Sequence, residues 1–331
     1  MNSNAVSLLE QYELEILRTW RGRDAFVCDS AQGLFILKEY MGPREKILFQ
    51  DKVCRQIRES GFTGAETILP NKEGELLTVD TDGTAYLCKS YVEGRECNIR
   101  DREEILRMTE VMARLHKAMH LPLQETEGQQ LPTLSQEFEK RGRELRKVRK
   151  FLKNRGQKTD FELFLSQNYE PFFRQAEEIA RQAASMDSSM EESFGERPEA
   201  QVPVCHGDLQ HHNLLLKDRD AFVINFEKCG TGSQMRDLYR FMRKFFEKNG
   251  WSVAGARQIV EHYQKERTME ARDFQELYYR FAYPEKFWKI VNFYYNKGKS
   301  WVPGRNGEKL QNLLAQEAEK QHFLEEFERY L

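Results

Sequence analysis

Val204-Cys205-His206-Gly207-Asp208-Leu209-Gln210-His211-His212-Asn213-Leu214-Leu215-Leu216, followed closely by Ala221-Phe222-Val223-Ile224-Asn225-Phe226-Glu227, is the stretch whose reading decides the fold. Residues 214–216 and 222–224 are short runs of branched and aromatic side chains, the composition of strands. The charged residues 217–220 between them predict a hairpin turn. Asp208 and Asn213 precede the first strand, and Asn225 and Glu227 follow the second. A hairpin folds the chain back on itself, so these four side chains are expected to converge at one end of it. That is the layout phosphoryl transfer requires: a carboxylate to accept a hydroxyl proton, and oxygen ligands that hold Mg²⁺ against ATP.

Two segments, Cys205-His206-Gly207-Asp208 with His212-Asn213 and Val223-Ile224-Asn225-Phe226-Glu227, resemble the catalytic loop and metal strand of aminoglycoside phosphotransferases and other small-molecule kinases. Within that protein-kinase-like superfamily the chain is similar to the CotS family of spore coat proteins. That narrower resemblance adds Lys158-Thr159-Asp160-Phe161, Tyr283-Pro284-Glu285-Lys286-Phe287-Trp288 and Lys299-Ser300-Trp301-Val302-Pro303-Gly304-Arg305-Asn306, so it spans most of the chain. It implies an α+β, two-lobed fold, with a small sheet-rich lobe over residues 1–93 and a larger helical lobe over 94–331 that carries the loop at 206–227. It implies Asp208 as catalytic base, Asn213 and residue 225 as metal ligands, and ATP with Mg²⁺ as cofactors. The partners it implies are other spore coat proteins or a small hydroxylated molecule, and the location is the spore coat after synthesis in the cytoplasm. The chain departs from the superfamily pattern at Asn225, where an aspartate is usual.

The N-terminal part reads as a small sheet. Residues 14–17, 25–29 and 34–37 are candidate strands, and the third ends in Lys38. A lysine on the third strand, ahead of the His-Gly-Asp loop, is the kinase-type contact to ATP phosphates. The first turn, residues 21–24, has one glycine and no Gly-x-Gly-x-x-Gly, so a glycine-rich phosphate lid is not expected. Residues 43–60 predict a helix, with proline early, Gly61 as a stop, and Phe49, Val53 and Ile57 on one face. Active kinases orient the strand lysine with an acid on this helix; Asp51 and Glu45 are both candidates, and the sequence does not choose. Residues 75–79 and 85–90 form a second predicted hairpin. Tyr91-Val92-Glu93-Gly94-Arg95 follows, and the resemblance makes it the hinge that meets adenine, with Tyr91 and Glu93 as candidate contacts.

Beyond the hinge the pattern is helical. Ile105, Met108, Met112 and Leu115 recur at core spacing, and residues 137–158 form a strongly basic helix. A solvated face explains that charge, with an anionic coat partner as the second reading. His116 and His120 lack the His-Glu-x-x-His context of a metal site. Helices are expected at 161–168 and 171–186, then an acidic linker at 187–200. Asp237, on the helix after the hairpin, is expected to brace the loop backbone. The aromatic run from Phe274 to Tyr295 is expected to be core, and Lys297-Gly298-Lys299-Ser300 is not a P-loop.

At 331 residues the chain can bury a sizeable core. Hydrophobic residues make up 40% and charged residues 31%, and a formal charge of −2 provides no general attraction to nucleic acid or anionic membrane. Neither a nucleic-acid-binding module nor a membrane-spanning run is evident, and the six scattered cysteines read as reduced thiols.

The amide at 225 alters the expected chemistry. A carboxylate about 4 Å from a divalent ion is worth at most ~8 kcal/mol at an effective dielectric of about 20, and an amide oxygen forgoes that charge. Glu227 lies two residues on along a strand, hence on the same side, and is the candidate compensating ligand. Two readings follow: a kinase-fold coat protein with weakened or lost phosphotransferase activity, or an active ATP-dependent phosphotransferase.

Overall fold

The computed structural model describes residues 3–22, 24–194, 198–296 and 303–330. Strand formers dominate its first part. β1 (Ile16–Gly22), β2 (Ala25–Ser30) and β3 (Gly33–Glu39) run antiparallel in sequence order. β1 lies further along the chain than residues 14–17, because Thr19 and Trp20 are strand formers and Gly22 pairs directly with Ala25. The expected turn at 21–24 is therefore shorter; Arg23 lies outside the described residues. After α1 (Arg44–Glu59), β4 (Ile68–Leu69), β5 (Leu77–Val79) and β6 (Ala85–Ser90) complete a six-stranded sheet. β6 is central, paired with β3 along one edge and with β5 and β4 along the other. The stripe of α1 is buried as its periodicity predicts, and Gln50 lies within it.

The chain divides into two compact units. The first consists of Met1–Gln130, Pro198–Arg240 and Lys265–Arg267. Beside the N-terminal sheet it contains β7 (Arg95–Glu96), α2 (Arg102–Ala118), β8 (His120–Pro122), β9 (Gln201–Cys205), β10 (Leu214–Lys217), β11 (Asp220–Val223), β12 (Gly230–Thr231) and the first residues of α5 (Met235–Asn249). The predicted hairpin is β10–β11, and β7 pairs with its other edge. β9 lies between β8 and β12. Asp101 caps α2 by accepting from the Glu103 and Glu104 N–H groups, and the apolar stripe of α2 is buried.

The second unit consists of Leu131–Arg197, Phe241–Gln264 and Thr268–Leu331. It contains α3 (Leu134–Asn154), α4 (Asp160–Phe194), α6 (Val253–Gln264), α7 (Ala271–Ala282), α8 (Glu285–Asn296) and α9 (Pro303–Tyr330). Several arginines of the basic run on α3 are matched by acids: Arg143 pairs with Glu139 at 2.8 Å, Arg146 with Glu177 and Arg149 with Glu170 at 2.6 Å each. One helix, α4, replaces the two expected at 161–168 and 171–186, and it continues as far as Phe194 through part of the expected linker. Pro171 costs a helix interior about 3 kcal/mol. Burying the neighbouring Phe172 and Phe173 contributes about 1.5–3 kcal/mol each, which offsets it. The segment 297–302, which carries half of one resemblance motif and the excluded P-loop, lies outside the described residues. Among the described residues no helix is long and apolar enough to cross a membrane. All six cysteines are buried free thiols.

Aromatic stacking and buried ion pairs hold this unit together. Phe138 stacks on Tyr283 with ring centroids 4.1 Å apart, and Phe172 on Phe287 at 4.6 Å. Beside them the Glu285 carboxylate is buried and contacts Arg141 and Arg243, each at 3.8 Å, and Lys289. Burial alone would raise its pKa, but Arg243, Arg141 and Lys289 outweigh burial and hold it well below the usual carboxylate range. A folded-state pKa depressed in this way stabilises the fold above the unfolded value, and the benefit is lost as pH falls through the folded value. Glu285→Ala should therefore destabilise the protein at neutral pH, by less than the roughly 3–5 kcal/mol of a fully stranded buried charge, since Arg141 keeps Glu137 and Arg243 keeps Glu247. Urea titrations between pH 3 and pH 7 should also show a flatter acid limb for the variant; an unchanged limb would refute this role.

Candidate active site

Every residue of the expected site except Asp51, Tyr91 and Glu93 is drawn into one network of hydrogen bonds and ion pairs within the first unit. The loop after β9 is fixed from beneath by Asp237 at the start of α5. Its carboxylate accepts from the His206 N–H at 2.6 Å and the Gly207 N–H at 3.0 Å. Burial would raise the Asp237 pKa, but His116, His206 and Arg240 together hold it below its ordinary value. The loop is thus braced as the sequence suggests, and His116 lies 3.5 Å from this carboxylate instead of pairing with His120. His206 Nδ1 accepts from the Asp208 N–H at 3.2 Å, so Nε2 carries the proton and donates to the Ile224 carbonyl at 3.0 Å. That ring ties the loop to the end of β11. Gly207 has φ +79°, and a Cβ there would meet the Lys228 carbonyl oxygen at 2.2 Å. Only glycine fits.

The turn after β11 is held by two residues that sequence reasoning missed. Glu66, 2% exposed, accepts from the Asn225 N–H at 2.8 Å and the Phe226 N–H at 3.0 Å. It also accepts from Lys89 Nζ at 2.9 Å and Gln50 Nε2 at 3.1 Å. The left-handed backbone of Asn225, at φ 67°, turns both N–H groups toward that carboxylate. Lys89, 4% exposed, lies on the central strand β6. Its ammonium reaches Glu66, Asn225 Oδ1 at 3.1 Å and Glu227 Oε1 at 3.3 Å. Burial would lower its pKa, but Glu66 and Glu227 outweigh burial and raise it, so the amine stays charged. A signal existed in the sequence: Lys89 interrupts a strand that is otherwise mostly apolar, and Gln50 interrupts the apolar face of α1.

Lys38 on β3 pairs with Glu227 at 3.5 Å. β3 and β6 are adjacent, with Ile36 opposite Lys89 and Lys38 opposite Leu87, so Lys38 and Lys89 project from the same face of the sheet. Asp51 does not join them: it pairs with Arg55 at 2.7 Å, one helix turn on. From α1 it is Gln50 that reaches the network, because adjacent helical residues point about 100° apart. The Tyr91 N–H donates to the Leu34 carbonyl at 2.9 Å, and Glu93 is exposed. Asp208 is held by Lys228 and Gln210 at 2.6 Å each, with Arg240 at 3.8 Å. Burial would raise its pKa, but the Lys228 and Gln210 hydrogen bonds and the Lys228 and Arg240 charges keep it below the ordinary value.

The residues expected to bind a divalent ion fit one poorly. Asn213 Nδ2 donates to the Asp208 carbonyl at 2.8 Å, and its Oδ1 accepts from Asn225 Nδ2 at 2.9 Å. Asn225 Oδ1 accepts from Lys89, and Glu227 contacts Lys89 and Lys38. The amide oxygens of 213 and 225 and the Glu227 carboxylate thus already contact nitrogen donors. Among the described residues no group of three or more His, Cys, Asp or Glu side chains could hold a metal. A dication about 5 Å from an ammonium is repelled by roughly 7 kcal/mol at an effective dielectric of about 20.

The whole chain has the kinase-like α+β fold of aminoglycoside phosphotransferases. It superposes on a solved aminoglycoside phosphotransferase of Alicyclobacillus acidocaldarius with a TM-score of 0.81, at 18% identity, covering 98% of this chain and 95% of that one. An AMP-bound spectinomycin phosphotransferase gives a TM-score of 0.65 at 13% identity, covering 95% of this chain and 98% of that one. An amicoumacin kinase in complex with AMP-PNP, Ca²⁺ and Ami gives 0.59 at 11%, covering 100% of this chain and 98% of that one. At these identities the likeness is one of fold. No curated protein sequence matches the chain. The chain belongs to the family described as "Spore coat putative kinase YutH", which matches it over residues 5–327.

Two substitutions test this network. Gly207→Ala should destabilise the protein by more than about 2 kcal/mol, as left-handed strain and a backbone clash combine; a denaturation midpoint equal to that of the native protein would refute the packing argument. Glu66→Gln keeps the shape but removes the charge opposite Lys89. It should cost about 1.5–3 kcal/mol and accelerate amide exchange at residues 225 and 226, as read by hydrogen exchange.

Proposed function

We propose that this protein is a spore coat component in which the kinase fold is kept and phosphotransferase activity is weakened or lost. The observation that carries the reading is Asn225: it supplies no negative charge where a metal ligand is expected, and its Oδ1 accepts from a buried ammonium. The contact between Lys228 and Asp208 weighs less. The Lys228 side chain is 66% exposed, and such a surface pair is worth about 0–1 kcal/mol, so it opens readily. In this proposal ATP binds weakly through Lys38 with little help from Mg²⁺, and other coat proteins are the partners after the chain, made in the cytoplasm, reaches the coat. The strand-rich lobe over residues 1–93 and the helical lobe over 94–331 are part of the same reading.

An active phosphotransferase, acting on a hydroxyl of a small molecule or of a coat protein, is the second reading. Asn213 supports it, since it holds the Asp208 backbone at 2.8 Å in a loop that is otherwise fully assembled. Turnover separates the two. With ATP, Mg²⁺ and a panel of hydroxylated acceptors, the protein should transfer phosphate at least about a thousandfold more slowly than the roughly 1–100 s⁻¹ of typical kinases. Turnover within that range that collapses in Asp208→Asn would establish the second reading and sink the first.

A further inference from the structure

The Lys89 amine is more than one half of an ion pair. An ammonium has three N–H bonds, and the three acceptors here come from two separate places in the chain: Glu66, and the turn after β11 with Asn225 and Glu227. Lys38 contacts Glu227 as well, so two ammonium groups and two carboxylates form a neutral cluster. The Asn225 amide completes it. Because Asn213 Nδ2 is committed to the Asp208 carbonyl, Asn213 Oδ1 faces residue 225 and needs a donor or a cation there. An amide supplies that donor through Nδ2 while its Oδ1 accepts from Lys89. An aspartate would set oxygen against oxygen. Asparagine at 225 thus serves Asn213 as a donor and Lys89 as an acceptor at once.

We infer that the Lys89 ammonium is the resident cation of this site: with the Asn225 amide it binds the oxygens that a divalent ion would bind, and it closes the site to Mg²⁺. The inference rests on the functional reading above and specifies its cause. Asn225→Asp alone should then create no metal site, because the ammonium remains in place. Pairing Asn225→Asp with Lys89→Met removes the ammonium that Glu66, residue 225 and Glu227 share, and leaves a carboxylate at 225 beside Asn213 Oδ1, with Glu227 and Glu66 freed of that donor. That is an all-oxygen set of the kind divalent ions take.

The test is calorimetric titration of Mn²⁺, with Mg²⁺ in parallel, into the native protein, N225D, and the double variant K89M/N225D. The native protein and N225D should bind no ion at this site, and the double variant should bind one ion at least about a hundredfold more tightly than either. The inference is overturned if the native protein matches the double variant, if N225D alone gains the site, or if the folded double variant gains nothing. Should the double variant fail to fold, paramagnetic broadening in the native protein decides. Amide signals of residues 213 and 225–227 that stay sharp as Mn²⁺ is added support the inference, and selective broadening there overturns it. The two proposals fail separately. Phosphoryl transfer at kinase rates without broadening at these residues would remove the functional reading and leave Lys89 in place; selective broadening in an inactive native protein would do the reverse.

Discussion

The Glu66 carboxylate is the interaction on which the rest of the site depends. Two oxygens accept from two backbone N–H groups, an ammonium and an amide, all inside the first unit. A buried carboxylate without such partners would cost several kcal/mol, and a buried ammonium the same. Each therefore makes the other tolerable, and the turn at 225–226 is fixed as a result. The connection is reinforced through the backbone, where residues 64–66 run alongside β11: the Val223 N–H donates to Gly64 at 2.7 Å and the Glu66 N–H to Val223 at 3.1 Å. The carboxylate is thus delivered by strand pairing and does not depend on a flexible side chain finding its target.

Asp237 does for the loop what Glu66 does for the turn. Both are buried acids whose oxygens are consumed by consecutive backbone N–H groups, and His206 joins the two halves through Ile224. This arrangement holds the shape of the loop and the turn independently of any chemistry there. Geometry is held by Glu66 and Asp237, whereas chemistry would be carried by Asp208, Asn213 and residue 225. The second set can change while the first stays intact, so the fold does not depend on the residues proposed for chemistry.

In the second unit the same economy operates with different materials. Glu285 is buried among cations that hold it ionised, and stacked rings such as Phe138 with Tyr283 supply the apolar packing around it. The motif Tyr283-Pro284-Glu285-Lys286-Phe287-Trp288, which carries part of the family likeness, has a packing explanation as well. Tyr283 and Phe287 are fully buried ring partners and Glu285 is the anion between two arginines.

By itself the sequence determined the hairpin at 214–223, the loop before it, the order of lysine and aspartate, and the family. Each rests on local signals: strand composition, turn residues, and a motif whose spacing is short. It also located the faces of α1 and α2, because a period of 3.6 is written in consecutive residues. What only the tertiary structure decided is which charges meet. Glu66 and Asn225 are 159 positions apart, and Lys89 and Glu227 are 138 apart, so no local pattern pairs them. Asp51 was a reasonable candidate on α1, yet a rotation of one residue about the helix axis gives that place to Gln50. Helix α4 ran through Pro171 for the same reason, since aromatic burial by distant partners outweighs a local proline penalty. Electrostatic pairing and burial depend on where strands and helices come together, and chain proximity does not encode that.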